Sequence, residues 1–444
     1  MQIVYTNRHR TKETSPLRAD SSIYCNCVQG LEKHPIQLLR LDVPILWKPN
    51  ESYDAFTNDP LGFVLDTKQA KETLRQLTLY TDLVAQYQYR THIFQLLMCG
   101  TKARFIRYDH AAAIVSKSFN YSEQSPLLVQ FLHRLAHLTP TGLGRDVRYS
   151  INVSESDTKL AKTHLERYFK ERNISHPVAS LSVWDEEKKE ERILLVWGHV
   201  RERNTIIGRE TRAFPVYDTE AKAVKFYKEG WQTSINTPET ETLRMLNQKG
   251  IPNIPTVCLG GDIPGHVTRS QDYLKSSWYK GASEYIWRRT NHWLLLNEVG
   301  TPVHRFKSPR QFLRATHDAF IGVYSLYITF VCSCHFTAHQ QAYIHCHVLH
   351  RDVSLSNIIF TDDGRGLLID WEHAKTLEEL AIGRPWRAVC DHLIHSFSLV
   401  LTYDSRELGN LCRPGCVSSR ARDTSFKMTW NHLFMLLFTR HYAS

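Results

Sequence analysis

The stretch VLHRDVSLSNIIFTDDGRGLLIDWEHA, residues 348–374, decides the fold of this chain. Its first part places Asp352 and Asn357 in a polar segment that is too irregular for a helix. Two short apolar runs, IIF and LLI, follow, and the turn TDDGRG separates them. This pattern predicts a hairpin, which would bring Asp370 back beside the loop that carries Asp352 and Asn357. Two carboxylates and an amide oxygen would then converge.

Such a set of side chains suits phosphoryl transfer to a hydroxyl group. One carboxylate can orient the acceptor hydroxyl and take its proton, while the other oxygens bind Mg²⁺. Mg²⁺ prefers hard oxygen ligands, so Asp and Asn fit the ion, whereas Cys and His do not. A run of Cys and His side chains in residues 332–347 leaves open a metal site of another kind.

Upstream of this stretch, the apolar runs of residues 190–290 are typical of antiparallel strands. They read ILLVWGHV, TRAFPVY and KAVKFYK. A helix is expected from Thr237, with Pro238 at its first position and Leu243 and Leu246 facing inward. A second helix is expected to begin at Ser308, where SPRQ forms a capping box with proline at the first helical position.

The N-terminal part of the chain predicts a separate, smaller α+β domain over residues 56–185. Its signals are a helix that Asp66 could cap, strands in HIFQLLM, KARFIRY and AAAIVSKSFNY, and a helix opened by Pro126. Residues 1–55 contain several prolines and are predicted to be irregular. Residues 141–190 are interpreted as a connector, whose charged run DEEKKEER predicts a solvated turn. Asp109 and His110 are interpreted as a turn rather than a site.

Composition limits the class of protein and its partners. A length of 444 residues predicts more than one domain. The formal charge of +10 comes from 55 basic and 45 acidic residues, and no Lys/Arg run predicts a nucleic-acid partner. We find no signal peptide, and the most apolar stretch is too short to span a bilayer. Ten scattered cysteines without a CxxC pair favour a reducing compartment. We therefore expect an intracellular protein of the cytoplasm or nucleus without a membrane partner; its oligomeric state stays open.

Several blocks of the sequence resemble the fungal-type protein kinase family over roughly residues 60 to 405. The resemblance rests on RTHIFQLLM, KARFIRYDHAAAIVSKSF, IIGRETRAFPVYD, KFYKEGWQ, LLLNEVGTPVHRFKSPRQFL, HRDVSLSN and LLIDWEHA. It implies an α+β, bilobal protein-kinase-like fold that follows the smaller N-terminal domain, with ATP bound between the lobes. The expected N-lobe is 190–290, the C-lobe is 291–405, and a tail occupies 406–444. The implied activity is ATP-dependent phosphorylation of Ser or Thr hydroxyls on a protein substrate.

The resemblance also implies roles for the residues of the two loops. HRDVSLSN matches the catalytic loop of protein kinases, in which Asp352 would be the catalytic base. Asn357 and Asp370 would be the Mg²⁺ ligands at the ATP phosphates, with Asp370 in the place of the D-F-G aspartate. Arg351 would pair with a phosphate on the activation segment.

Further roles fall on the predicted N-lobe. Lys228, in KFYKEGW, would hold the α- and β-phosphates of ATP, and Lys225 is its rival, because strand alternation places the two on opposite faces. Glu239 would pair with that lysine, or would merely favour the N-terminus of its helix. The phosphate loop would be IIGRETRAF, in which Gly208 is the single glycine and Thr211 could offer a hydroxyl.

The chain departs from the family pattern at several points. Ser354 stands where many protein kinases have a lysine, which leaves open a small-molecule kinase of the choline or aminoglycoside type. Residues 322–338 interrupt the helix that begins at Ser308, as a retained intron or an insertion. Only twenty residues separate Asp370 from Asp391, which is short for an activation segment. A nucleotide-binding pseudokinase that serves as an interaction module is therefore a further alternative.

Overall fold

The computed structural model describes residues 1–5, 20–31, 37–58, 63–169, 177–197, 206–233, 237–276, 286–320 and 338–382. The chain divides into two compact units. The first comprises residues 1–346 and 350–374, and the second comprises residues 347–349 and 375–444. All the structure that positions the candidate site belongs to the first unit.

A mixed sheet forms the N-terminal part of the first unit. Its strand order is β1-β2-β3-β4-β5-β6, with β7 paired to β5. The strands are β1 Gln2–Tyr5, β2 Ser21–Tyr24, β3 Leu41–Lys48, β4 His92–Cys99, β5 Lys102–Asp109, β6 Ala113–Val115 and β7 Phe119–Asn120. β3 and β4 are parallel, because the helix α1 (Lys68–Tyr87) connects them across the sheet. We call residues 1–137 of this part, with helix α2 (Ser125–His137), the N-terminal module.

Helix α1 forms the core of this module. Thr67 caps it, since its hydroxyl oxygen accepts a hydrogen bond of 3.1 Å from the amide of Ala70. The expectation that Asp66 is the cap is therefore wrong by one residue. Leu77 and Val84 are fully buried on the face that packs against the sheet. Burial of each such side chain stabilises the fold by about 1.5–3 kcal/mol.

An antiparallel sheet follows in the order β13-β14-β12-β11-β10-β9-β8. Its strands are β8 Tyr149–Ser150, β9 Ala179–Asp185, β10 Glu190–Val196, β11 Arg212–Asp218, β12 Ala223–Thr233, β13 Val257–Val267 and β14 Arg289–Leu296. Helix α3 (Glu155–Phe169) buries Leu165 and Phe169 together with Leu195 and Tyr217 of this sheet. Helix α4 (Glu239–Gln248) buries Leu243 and Leu246, as the sequence predicts.

Two expectations for the first half of the chain are wrong. The described parts of residues 1–55 are not irregular, since β1, β2 and β3 lie there. Pro44 hides the pattern, because it lies inside β3 opposite Ser22, where proline is rarely found. Residues 141–190 are not a plain connector, since α3 and β9 are built from them. The charged run does form the solvated turn between β9 and β10.

The C-terminal part of the first unit is a small helical layer with a three-stranded sheet of order β15-β17-β18. Its elements are β15 Thr301–Pro302, α5 Pro309–Phe320, α6 Ala338–Cys346, β17 Ile358–Phe360 and β18 Gly366–Leu368. Ser308 begins α5 as predicted, because its hydroxyl accepts a hydrogen bond of 3.2 Å from the amide of Gln311. Ala315 and Ala319 are fully buried, and α5 packs closely on β18. Residues 322–337 lie outside the described residues.

The second unit is described only near its start. β16 (Val348–Leu349) pairs antiparallel with β19 (Lys375–Thr376), and a short helix, α7 (Leu377–Ile382), follows. The amide of Leu377 donates to the carbonyl of His347. The predicted activation segment is described as far as residue 382, and the rest of it and the predicted tail lie outside the described residues. The mixture of helices and sheets confirms the α+β class. No helix of the described part is long and apolar enough to cross a membrane.

Gly366 is expected to be indispensable for the close packing of β18 on α5. A Cβ atom at this position would lie 2.6 Å from the Cα of Ala315 and would clash with its carbonyl oxygen. We expect Gly366→Ala to lower the free energy of unfolding by about 3 kcal/mol, since backbone atoms cannot yield to the added methyl. Urea unfolding followed by circular dichroism measures this change.

Gly261→Ala is the matched control for that experiment. Gly261 lies in β13, and a Cβ there would meet nothing within 4 Å. We expect this variant to unfold at nearly the same urea concentration as the unmodified protein. Equal losses for the two variants would mean that the close approach of α5 and β18 is not what makes Gly366 necessary.

Candidate active site

The hairpin predicted from the sequence is present. Ile358 in β17 pairs with Leu368 in β18, and the chain reverses at Gly364, whose φ of 81° is readily adopted by glycine. The amide of Gly364 donates to the carbonyl of Thr361 at 2.9 Å, which closes the turn. The segment that ends in Asp370 therefore returns toward the loop that precedes β17.

The loop before β17 holds its two chemical side chains together. The side-chain nitrogen of Asn357, Nδ2, donates to the backbone carbonyl of Asp352 at 2.8 Å and to the carboxylate of Asp352 at 3.1 Å. Asn357 is buried, whereas Asp352 is exposed. The carbonyl of Asn357 also accepts from the amide of Ile369 at 2.9 Å. The residue just before Asp370 is thus bonded to the loop that carries Asp352.

His350 is hydrogen-bonded to both of these segments. One ring nitrogen, Nε2, lies 2.9 Å from the carbonyl of Ile369, and Nδ1 accepts from the amide of Asp352 at 3.3 Å. A carbonyl can only accept, so Nε2 carries the proton and the ring is neutral. Burial lowers the pKa of His350, which favours this neutral form. The ring also packs edge-on against Trp371.

Lys228 lies at the centre of a cluster of three carboxylates. Its ammonium is 2.7 Å from Glu239, 2.5 Å from Asp370 and 3.5 Å from Glu372. Burial disfavours the charged lysine, but the carboxylates outweigh that effect and raise its pKa. The ammonium therefore joins β12, α4 and the residues that follow β18.

The pKa values of Asp370 and Glu239 are shifted in opposite directions. Burial raises the pKa of Asp370, yet Lys228 outweighs burial, and the net pKa lies below its ordinary value. For Glu239 burial dominates over Lys228, and the pKa is raised. Glu239 also accepts a hydrogen bond of 3.0 Å from the amide of Trp371. Asp370 itself has a φ of 67°, a left-handed conformation that a non-glycine residue adopts at a cost of about 1–3 kcal/mol.

The rival lysine lies elsewhere in the same strand. Lys225 contacts the thiol of Cys258 at 2.8 Å and the carboxylate of Asp218 at 3.4 Å. The alternation of β12 thus separates the two lysines, and Lys228 is the one that reaches the cluster with Asp370.

The predicted phosphate loop lies next to this cluster. A narrow cavity brings Thr211 and Arg209 together with Lys228. The guanidinium of Arg209 is 2.8 Å from the carboxylate of Glu372. Gly208 does not line this cavity; its amide instead donates to a carbonyl of the N-terminal module.

Sequence reasoning missed Arg209 and Glu372. Both lie inside motifs that resemble the family, IIGRETRAF and LLIDWEHA, but in these motifs the resemblance implies roles only for the glycine, the threonine and the aspartate. Glu372 comes two residues after Asp370, and the αL turn at Asp370 directs the chain so that Glu372 also reaches Lys228. Arg351 is exposed with a φ of 69°. The activation segment, on which its phosphate partner was predicted, is described only as far as residue 382.

The donor set of this site suits a hard divalent cation. Oxygens of Glu239, Asp370 and Glu372 lie within 4.8 Å of one another. They form the one group of at least three acidic, histidine or cysteine ligands found in the part of the chain that the structure describes. Because Asn357 uses its nitrogen to bind Asp352, its amide oxygen is left as the ligand atom. All these donors are oxygens, as Mg²⁺ prefers.

The structure thus places a half-buried lysine against a helix glutamate and a hairpin aspartate, next to an Asp–Asn loop, which is the kind of grouping that phosphoryl transfer by protein kinases requires. Comparison with known families agrees: the fungal protein kinase family model matches residues 63–331 and 334–385. The chain belongs to this family. The break between the two matched ranges falls inside the stretch 322–338, which departs from the family pattern. No curated protein matches the chain.

Proposed function

We propose that the protein is an ATP-dependent protein kinase that phosphorylates serine or threonine hydroxyls. In this proposal the antiparallel sheet with α4 serves as the N-lobe, and α5, α6 and the hairpin serve as the C-lobe. ATP binds between them. The observation that carries the proposal is the contact of one lysine, Lys228, with both Glu239 and Asp370. Protein kinases need these groups together to hold ATP phosphates and metal.

Each side chain then has a task. Lys228 holds the α- and β-phosphates, and Glu239 keeps its ammonium in place. Asn357 and Asp370 bind Mg²⁺, which neutralises the charge of the phosphates when it is bound. Asp352 orients the acceptor hydroxyl and takes its proton. Gly208 and Thr211 belong to the loop that covers the phosphates. Arg351, next to Asp352 in the chain, binds a phosphate on the activation segment.

Glu372 adds a condition for nucleotide binding. Its carboxylate lies 3.5 Å from the ammonium of Lys228 and 2.8 Å from the guanidinium of Arg209. Glu372 therefore pairs with the two cations that the phosphates of ATP would bind. We propose that ATP displaces Glu372 from Lys228, and that Arg209 then turns to the phosphates, because a guanidinium binds phosphate through paired hydrogen bonds.

The assignment of Asp352 as catalytic base yields a prediction. We expect Asp352→Asn to retain binding of Mg·ATP, because the lysine cluster is untouched, while turnover falls by about 10²–10⁴-fold through loss of the base. The thermal stabilisation by Mg·ATP measures binding, and transfer of labelled phosphate to mixed protein substrates measures turnover. Ser356→Ala, at an exposed position of the same loop, is the control that should behave as the unmodified protein.

The same assay separates the alternative functions. Phosphate transfer to choline or an aminoglycoside, with none to proteins, would replace the protein-kinase proposal with a small-molecule kinase. Stabilisation by Mg·ATP without transfer to either class would favour a pseudokinase that acts as an interaction module. Absence of both stabilisation and transfer would refute the nucleotide site itself.

A further inference from the structure

The loop of residues 206–211, which we call the phosphate loop, is attached to the N-terminal module. Ile206 is buried in the core of that module, together with Leu77 and Val84 of α1. Its amide donates a hydrogen bond of 3.1 Å to the carboxylate of Asp82, also on α1. The start of the loop is therefore fixed by both burial and a hydrogen bond to a helix outside the sheet that carries Lys228.

His110 provides a second attachment, at the end of β5. Its backbone carbonyl accepts from the amide of Gly208 at 3.0 Å. Its ring nitrogen Nδ1 lies 2.8 Å from the carboxylate of Glu210, with both side chains buried, and this contact is an ion pair when the imidazole is protonated. The ring is fixed in turn by the carbonyl of Arg90 at 3.0 Å and by stacking on Trp231 at 4.0 Å.

The opposite side of the phosphate loop meets the catalytic cluster. Arg209 is paired with Glu372, and Thr211 lines the cavity beside Lys228. Glu210, between them, has a φ of 44° and turns its carboxylate toward His110 and Arg212. Successive residues of the loop thus contact the N-terminal module and the catalytic cluster in turn.

The contacts with the N-terminal module reduce the entropy that the phosphate loop would lose on binding a nucleotide. Gly208 has a φ of 124° and would find nothing within 4 Å of an added Cβ, so its hydrogen bond to His110, rather than packing around its Cα, restrains it. Ordering one free residue costs about 1–2 kcal/mol, which nucleotide binding would otherwise have to supply. Contacts that order the loop beforehand increase affinity by removing this cost.

We propose that Asp82 and His110, both in the N-terminal module, are positioning residues of the nucleotide site. They hold the phosphate loop so that Arg209 and Thr211 face Lys228 before ATP arrives. The module is therefore part of the catalytic unit and not an appended domain. This inference rests on the proposed function, since it assigns the loop to the ATP phosphates.

Asp82 offers the sharper test, because it is only partly buried. Asp82→Ala removes the acceptor for the amide of Ile206, whereas Asp82→Asn keeps an acceptor oxygen in the same place. In the full-length protein we expect Asp82→Ala to raise KM for ATP by about three- to tenfold with kcat unchanged, as one lost hydrogen bond implies. Asp82→Asn should restore KM. Hydrogen exchange of the amides in residues 206–208 should accelerate in Asp82→Ala alone.

Asp109→Asn is the control at a different contact between the N-terminal module and the antiparallel sheet. The carboxylate of Asp109 accepts from the amides of Arg269 and Ser270 at 2.9 and 3.0 Å, so it joins the module to the antiparallel sheet without touching the phosphate loop. We expect this variant to lower the melting temperature and to leave KM for ATP unchanged. If Asp82 acted only through the general stability of the protein, Asp109→Asn would instead raise KM as much as Asp82→Ala does.

The possible results separate this inference from the proposed function. Normal turnover in the unmodified protein, with unchanged KM and exchange in Asp82→Ala, would overturn the positioning role alone. Absence of any ATP binding or turnover in the unmodified protein would overturn the proposed function, and the positioning role with it. A raised KM that Asp82→Asn restores and Asp109→Asn does not reproduce would support the inference.

Discussion

Replacing Asp370 with asparagine is expected to abolish the stabilisation of the protein by Mg·ATP and to lower turnover by about a thousandfold. Asparagine tolerates the left-handed backbone conformation found here, so the variant should fold. What it loses is the carboxylate charge that binds the metal, and with it about 4 kcal/mol of transition-state stabilisation. Thermal melting with and without Mg·ATP and a phosphate-transfer assay measure the two effects.

The control lies in the same hairpin. Asp363→Asn changes a carboxylate in the turn, where Asp363 is exposed and pairs with Arg365 at 2.7 Å. We expect both the Mg·ATP shift and turnover to be retained in this variant. An undiminished shift in Asp370→Asn would remove Asp370 from the metal site and would weaken the phosphotransferase assignment.

The second large effect is expected from Lys228→Met. Loss of the ammonium should eliminate turnover and lower the free energy of unfolding by about 3 kcal/mol at neutral pH, because Glu239 is left buried without its cation. The pKa of Glu239, already raised, should rise further once Lys228 no longer lowers it. The folded variant then binds a proton that the unfolded chain has released. Its stability should therefore fall as the pH rises above 4.5, the ordinary pKa of this group.

Two further variants test the cause of that effect. Lys228→Met combined with Glu239→Gln should regain about 2 kcal/mol of stability and remain inactive, since the buried charge is gone but the phosphate lysine is still missing. Lys225→Met should cost about 1 kcal/mol and retain activity, because Asp218 keeps its pair with Arg192. Loss of activity in Lys225→Met rather than Lys228→Met would exchange the roles of the two lysines.

The sequence predicted the hairpin and the family, but it did not predict all the side chains that surround Lys228. Residues 358–370 contain two short apolar runs separated by a turn, and local turn chemistry at Gly364 suffices to predict their pairing. The contact of Lys228 with Asp370 joins residues 142 positions apart, and neither the residue pattern nor the resemblance predicted it. Glu372 shows the limit: its approach to Lys228 depends on the backbone turn at Asp370, and a local pattern of residue types does not specify that turn.

In the fold, too, elements with a local sequence pattern were predicted, whereas long-range contacts were missed. Strands with regular alternation, such as β4 and β5, were predicted, as was the helix α5 with its capping residue. β3 was missed because a proline lies within it, and its pairing with β4 is a long-range contact. The pair Asp109 and His110 looked like a turn, yet both side chains are fully buried. Their partners Ser270 and Glu210 lie at least 100 residues away, beyond the reach of local patterns.

The parallel pairing of β3 with β4 bears on any shortened form of the protein. The family match begins at residue 63, whereas β1, β2 and β3 all precede it. A chain cut at that boundary would leave β4 unpaired along the side where Leu96 and Met98 now lie against β3. An open strand edge of buried apolar residues recruits strands from other molecules. Recombinant fragments trimmed to the match should therefore aggregate, while those that begin at residue 1 should stay monodisperse.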